Sequence, residues 1–195
     1  MSNFITLSGK EIDYLNPDIS QIDIEDIALG LARTSKFVGQ TSTVYTNAQH
    51  CLNLVKLVPQ ELKLQALLHD AAEYCCSDLA TPIKYTGHLD VYKLIEKWIS
   101  SLILVKYTGM SVYHKDIKFY DRCLFYIEAY NLHAQLFRSA ANSFQADTLM
   151  SASYINADVL VDVFKNRFTD LDFSVKSADE IKNEYLNVFN HLYST

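Results

Sequence analysis

Glycine and proline are scarce in this chain, with five glycines and three prolines among 195 residues. That scarcity excludes a collagen-like or loop-dominated architecture, and a meander of many short strands needs more turn residues than these. Cationic excess is missing as well. Lysine and arginine total 17 against 23 aspartates and glutamates, which leaves a formal charge of −6 and an isoelectric point near 5.4. A protein that grips nucleic acid over a broad phosphate-binding surface needs clustered cations, so no nucleic-acid partner is expected. A small anionic ligand in a local basic pocket stays compatible with this balance. No apolar run approaches the ~20 residues of a membrane span. The opening Met1-Ser2-Asn3-Phe4-Ile5-Thr6 lacks the basic segment and apolar core of a signal peptide. The expectation is a cytoplasmic protein with no membrane partner. The four cysteines, Cys51, Cys75, Cys76 and Cys123, follow no zinc-knuckle spacing and are expected to be reduced, buried thiols.

What the chain does contain is apolar periodicity. Aliphatic and aromatic residues recur three and four apart along most of its length, no linker-like stretch divides it, and no internal repeat is visible. The expectation is one all-α domain over residues 1–195, with any strands minor. A first helix is predicted over Asp23 to Ser35, with Ile24, Ile27, Ala28, Leu31 and Ala32 as its apolar stripe and Gly30 as a weak point. After a loop, Thr46 or Asn47 caps a second helix that carries His50 and stops at Pro59. A third, central helix runs from Gln60 to Tyr74, and Thr81 before Pro82 reads as the cap of a short turn. Long helices follow at His88 to Val105, with Leu89, Tyr92, Ile95, Ile99 and Leu102 inward, and at Tyr113 to Phe137. Two more are expected near Ser151 to Phe168 and Ala178 to Tyr193, the last opened by the capping-box pattern Ser177-Ala178-Asp179-Glu180.

Against this background the run Leu67-Leu68-His69-Asp70-Ala71-Ala72-Glu73-Tyr74 stands out, because it places polar groups in apolar surroundings where they are costly unless used. A transition-metal site wants imidazoles and carboxylates converging from rigid elements with positions left open. His50, His69, Asp70 and Asp121 offer that set from three predicted helices. Taken singly, His50 reads as a satisfied polar residue and Asp121 as a paired carboxylate. Taken in order, a histidine, a His-Asp doublet and a later aspartate on a helix form the H…HD…D signature of the HD-domain phosphohydrolases, which this sequence resembles.

The resemblance extends further. His69-Asp70-Ala71-Ala72-Glu73, followed by Ser77-Asp78-Leu79-Ala80-Thr81-Pro82-Ile83-Lys84-Tyr85, is similar to a segment of the bacterial deoxyribonucleoside 5'-monophosphatases, and Asn47-Ala48-Gln49-His50-Cys51 is similar to their E-H-S element. These stretches, with Ile24 to Ala28, Phe37-Val38-Gly39 and Tyr45, resemble still more the phage and prophage members, among which is a dATP triphosphohydrolase group. Similarity runs from about Gly9 to Phe137, and the C-terminal helices within residues 150–195 match no motif.

The resemblance implies an HD-type bundle of about six to eight helices and one divalent metal ion (Co, Mn, Zn or Mg) held by His50, His69, Asp70 and Asp121. It implies hydrolysis of a deoxynucleotide at its 5'-phosphate ester. It leans toward a triphosphate substrate, with a monophosphate as the alternative, and places the enzyme in the host cytoplasm if it is phage-encoded. A homo-oligomer, dimer or hexamer, is the implied assembly. Glu73, one helical turn from His69, and Asp78, just past the helix end, take the acid/base and water-orienting roles; without the motif they read as a solvent-facing acid and a turn cap. Lys84 matches the family's phosphate-binding lysine. Lys36-Phe37 stands where the monophosphatases carry Arg-Trp, so Lys36 keeps a phosphate-binding charge without the bidentate fork, and Phe37 keeps a face for a base. Gln40 and Gln49 are either contacts to a base or sugar, or ordinary loop and helix polarity. His88, His114, His133 and His191 are structural or surface residues, and Phe119, Tyr120, Phe125, Tyr126 and Tyr130 form core or interface. A catalytically idle nucleotide-binding sensor or structural oligomer is the competing reading, against which the retained Glu73 and Asp78 speak.

Overall fold

Asp23 accepts a hydrogen bond from the Glu25 N–H and so caps helix α1, Ile24–Arg33, in the computed structural model, which describes residues 3–135 and 168–194. Of the predicted stripe, Ile27, Ala28, Leu31 and Ala32 are buried and Ile24 is half-buried. The molecule is an all-α bundle preceded by a small antiparallel hairpin. Its strands are β1, Asn3–Ile5, and β2, Glu11–Asp13, with Phe4 opposite Ile12. Helix α2, Asn47–Leu57, opens with a capping box in which the Thr46 side chain accepts from the Gln49 N–H while the Gln49 side chain accepts from the Thr46 N–H. Every residue of α2 except Lys56 is buried, which makes α2 the most enclosed element described. It packs against α1, the helices that follow, and the C-terminal helix.

The third helix departs from expectation. The segment from Gln60 begins as a 3-10 turn, Gln60–Leu62, continues as α3, Lys63–Leu68, and resumes as α4, Glu73–Cys76. Between α3 and α4 the Ala71 N–H bonds Leu68 O at 3.0 Å and the Glu73 N–H bonds Asp70 O at 3.0 Å, so the chain tightens to i→i+3 closure at the His69-Asp70 doublet. Apolar spacing is the same for either winding, which is why periodicity read one continuous helix. The short helix α5, Thr81–Lys84, is preceded by Ala80 at the cap position, so Thr81 is its first residue and not its cap.

Helix α6, Asp90–Thr108, runs one turn past the Val105 expected of it and ends on Gly109 in the left-handed conformation, φ 71°. Ile99, Ile103 and Leu104 anchor it. Leu89, Tyr92, Ile95 and Leu102 are only half-buried, and Val91, Leu94 and Trp98 are exposed beside Tyr14 and Leu15. Helix α7, Lys115–Leu132, is capped by the His114 side chain, and helix α8, Ala178–Tyr193, carries the expected Ser177 and Glu180 capping box. Phe137, at the expected end of α7, lies outside the described residues, as does nearly all of the helix expected from Ser151 to Phe168. The Tyr113 hydroxyl donates to Leu68 O at 2.8 Å, the His114 N–H donates to Gln65 Oε1 at 2.7 Å, and the Tyr185 hydroxyl donates to Leu67 O at 2.8 Å. Those bonds tie α7 and α8 to the end of α3, where the doublet sits. All four cysteines are free.

Gly30 has a different role from the weak point expected of it. A Cβ built there meets Tyr74 Cβ at 2.8 Å and the Tyr74 backbone at 3.0 Å, so α1 approaches α4 through the missing side chain. Gly30→Ala is therefore expected to destabilise the protein by about 1–3 kcal/mol through overpacking, outweighing the ~1 kcal/mol gain in helix propensity. Urea unfolding reads the sign, and an unchanged or higher midpoint contradicts the close-approach account.

Candidate metal centre

The four candidate ligands come from three elements. His50 projects from the first turn of α2, His69 and Asp70 from the tight turn between α3 and α4, and Asp121 from α7. His50 Nε2 lies 3.1 Å from His69 Nε2 and 3.1 Å from Asp121 Oδ1, and His69 Nε2 lies 3.7 Å from that oxygen. One ligand atom each from His50, His69 and Asp121 falls within 4.8 Å of the others, a grouping able to hold a metal ion. Asp70 joins them at the edge, its Oδ2 3.3 Å from His69 Nε2 and 3.7 Å from His50 Nε2.

Hydrogen bonding behind the rings decides their tautomers. His69 Nδ1 is 2.7 Å from Ala66 O, and a carbonyl only accepts, so Nδ1 carries the proton. His50 Nδ1 is 2.7 Å from Glu128 Oε1, which assigns its proton the same way. Both neutral rings then present Nε2 lone pairs toward each other and toward two carboxylates. With the rings neutral, four acceptors converge with no proton among them, an arrangement that favours either added protons on Nε2 or a cation. Two donors each about 2.1 Å from one ion and 90–110° apart stand about 3.0–3.4 Å from each other, and the observed separations of 3.1 to 3.7 Å lie within or just above that range.

The electrostatics state the same requirement. Burial disfavours the His50 imidazolium, yet the Glu128 carboxylate behind it and Asp121 beside it lift its pKa to about 10. His69 is likewise raised well above its ordinary value, with Asp70 overcoming burial. Burial works against the charged form of Asp70, but His69 and the Lys36 ammonium hold it well below the usual carboxylate range, and hydrogen bonds from His50 and His69 do the same for Asp121. Protons on the imidazoles answer this demand, and the His50-His69-Asp121 group could hold a metal ion in their place.

Around this centre stand the other expected residues. Lys36 Nζ donates to Asp70 Oδ2 at 2.7 Å and approaches Asp78 Oδ2 at 3.9 Å. Glu73 is buried, with Oε2 accepting from Asn47 Nδ2 at 2.7 Å and Oε1 3.7 Å from Lys84 Nζ. The one-turn alignment with His69 expected of a continuous helix does not apply, because Glu73 opens α4 after the tight turn. Lys84 is also engaged by Glu96 at 2.8 Å and sits 5.7 Å from the Tyr92 ring centroid. Phe37 packs its ring 5.7 Å from that of Phe125, one turn beyond Asp121. The backbone there is strained: Phe37 and Val38 both have φ 55°, a left-handed conformation that is costly for a β-branched residue. Such strain concentrates at ligand clamps, and here it lies next to Lys36.

Two expected contacts are not gathered in. Gln49 is the capping-box residue of α2, and its amide nitrogen donates to Ser174 O at 2.9 Å, so both ends of its side chain are engaged by backbone. The sequence Thr46-Asn47-Ala48-Gln49 carried that signal as a T-x-x-Q pattern. Gln40 is exposed. Conversely, Glu128, Tyr45, Asn47 and Phe125 were not expected at the site. A lone acid within Phe125-Tyr126-Ile127-Glu128-Ala129, two turns from Asp121, is the mark by which Glu128 is found in the sequence.

Burial, and then the Asp70 carboxylate, push the Glu73 pKa up to about 8 despite Lys36 and Lys84. An acid raised in the folded state holds its proton there while the unfolded chain has released it, so its contribution to stability falls as pH rises from about 4.5 to about 8. Relative to Glu73→Gln, which cannot titrate, the metal-free protein is expected to lose stability over that window with a slope of up to about 1.4 kcal/mol per pH unit. Denaturation midpoints for the two proteins across the range read the difference, and parallel profiles refute the assignment.

No family model matches the sequence. Over 121 residues the chain is 38% identical to YfdR, an uncharacterized protein of Escherichia coli K12, an alignment covering 62% of this chain and 67% of YfdR. Over 87 residues it is 41% identical to an uncharacterized protein of Rhodobacter capsulatus, covering 40% of this chain and 44% of that protein. Identity at that level over two thirds of the E. coli protein establishes kinship, and this chain belongs to the YfdR family.

Proposed function

We propose that this chain is a metal-dependent phosphohydrolase acting on the 5'-phosphate ester of a deoxynucleotide. The observation that carries the reading is the convergence of two Nε2 lone pairs and two carboxylates, His50, His69, Asp121 and Asp70, beside two lysines and two further acids. These donors fit a divalent cation, and cobalt, manganese, zinc or magnesium held by them supplies polarisation of a phosphate oxygen and acidification of water. The chain's own groups do the rest. Lys36 and Lys84 neutralise phosphate oxygens. Glu73, raised to about 8, holds a proton near neutrality and delivers it to the departing 5'-oxygen. Asp78, next to Lys36, accepts a hydrogen bond from the attacking water and orients it. Phe37 and Phe125 offer an aromatic wall to the base. The sequence resemblance favours a triphosphate, released whole, over a monophosphate.

A catalytically idle nucleotide-binding sensor is the second reading. A protonated Glu73 next to the ligand cluster favours the enzyme, because a sensor has no use for a buried acid poised near neutrality. The deciding experiment is a screen of nucleoside mono-, di- and triphosphates with each of the four metals, identifying whether phosphate, pyrophosphate or triphosphate leaves. Turnover of a deoxynucleotide that requires added metal and disappears in Asp70→Ala together with metal retention is the expected outcome. Full activity in Asp70→Ala overturns the metal-dependent reading, and nucleotide binding without turnover in any metal transfers the assignment to the sensor.

A further inference from the structure

Glu128 is fully buried on α7, yet it is an acid in an otherwise apolar segment. Its Oε1 accepts two bonds, from His50 Nδ1 at 2.7 Å and from the Tyr45 hydroxyl at 2.7 Å. Its Oε2 is buried with no hydrogen-bond partner among the described residues. Tyr45 is itself fully buried, and its oxygen accepts from Asn53 Nδ2 at 3.0 Å. Asn53 in turn bridges to the returning C-terminal chain, donating to Asp172 O at 2.9 Å and accepting from the Asp172 N–H at 2.9 Å, while the Phe173 ring packs 5.8 Å from that of Tyr45.

We infer that Glu128 and Tyr45 are positioning residues for the metal ligand His50, held in place by the C-terminal segment through Asn53. The inference rests on the proposed metal site but concerns residues that do not themselves touch the metal or substrate. A packing role alone does not account for a carboxylate here, since a buried charge with one oxygen unpartnered is costlier than an apolar residue of the same size. A carboxylate behind an imidazole does what an apolar residue cannot. It holds the Nδ1–H tautomer, orients the ring, and makes the opposite Nε2 a stronger electron-pair donor. Tyr45 confines that carboxylate to one rotamer by donating to the same oxygen. The chain beyond residue 168, which no motif explains, thereby acquires a part in the site: it braces the residue that braces His50.

The test is titration of chelator-stripped full-length protein with Co²⁺ alone, followed by its visible absorption and by competition with a chelator. Glu128→Gln preserves shape and is expected to weaken Co²⁺ binding tenfold or more and to shift the ligand-field bands. Tyr45→Phe retains the ring, removes only the hydroxyl, and is expected to weaken binding several-fold; it is the variant to read if Glu128→Gln does not fold. Wild-type affinity and spectrum in both variants overturn the inference. So does a lower melting temperature without metal combined with an unchanged metal-induced increment, since a merely structural role gives that result. Failure of the wild-type protein to take up Co²⁺ overturns the metal reading itself, and the positioning role with it.

Discussion

Everything near the doublet answers to one electrostatic constraint: two imidazoles and two carboxylates are forced together, and neutral rings would leave four electron-pair donors facing one another. Acceptors 3.1 to 3.7 Å apart repel unless a cation lies between them or extra protons are bound. The hydrogen bonds from Nδ1 to Ala66 O and Glu128 remove the easy solution, because they commit each ring's single proton to the far side. Lys36 relieves part of the repulsion at Asp70 but does not reach between the two imidazoles by any hydrogen bond or ion pair described. The His50-His69-Asp121 group could hold a metal ion, and the elements around it fix its geometry.

Rigidity for this comes from α2. A helix buried on nearly all sides cannot rotate to let His50 escape, and its start is secured by the reciprocal bonds of Thr46 and Gln49. Gly30 lets α1 close on Tyr74, so α4 is pressed toward the core with Glu73 at its first position. Tyr113 and Tyr185 bond the last carbonyls of α3, groups that an uninterrupted helix would have used internally. The break at His69-Asp70 is thus compensated by side chains from α7 and α8, and the tight winding that results aims two adjacent side chains at one point.

Much of this was legible in the sequence, and the remainder has physical reasons for being hidden. Helix existence followed from periodicity, and the caps at Thr46 and Ser177 from local chemistry that needs no tertiary knowledge, whereas Asp23 was read inside its helix and proved to be the cap. His50, His69 and Asp121 were visible because a metal-ligand pattern is written in residue types, whatever the fold. The switch from α to i→i+3 winding at the doublet was not, since Leu67, Leu68, Ala71 and Ala72 occupy the inner face under either. Gly30 looked like a propensity defect because only the partner helix reveals the close approach. Gln49 was misplaced among substrate contacts although its capping pattern was present. A side chain's partner across 125 positions, Ser174, leaves no local trace.

The neighbouring acids Asp70 and Glu73 show how environment divides chemically similar groups. Both are enclosed by the same turn, and burial alone would raise both. Asp70 faces His69 and the Lys36 ammonium at 2.7 Å, and stays ionised. Glu73 faces an amide nitrogen, a lysine shared with Glu96, and the charge of Asp70 itself, and keeps its proton to about 8. The ionisation of one is part of the cause of the other's protonation. Two acids driven apart in this way stand as an anion and a protonated acid within a single turn of chain. The tight winding at the doublet places them close enough to oppose each other, so the local backbone break is what couples the His50-His69-Asp121 group to the raised acid.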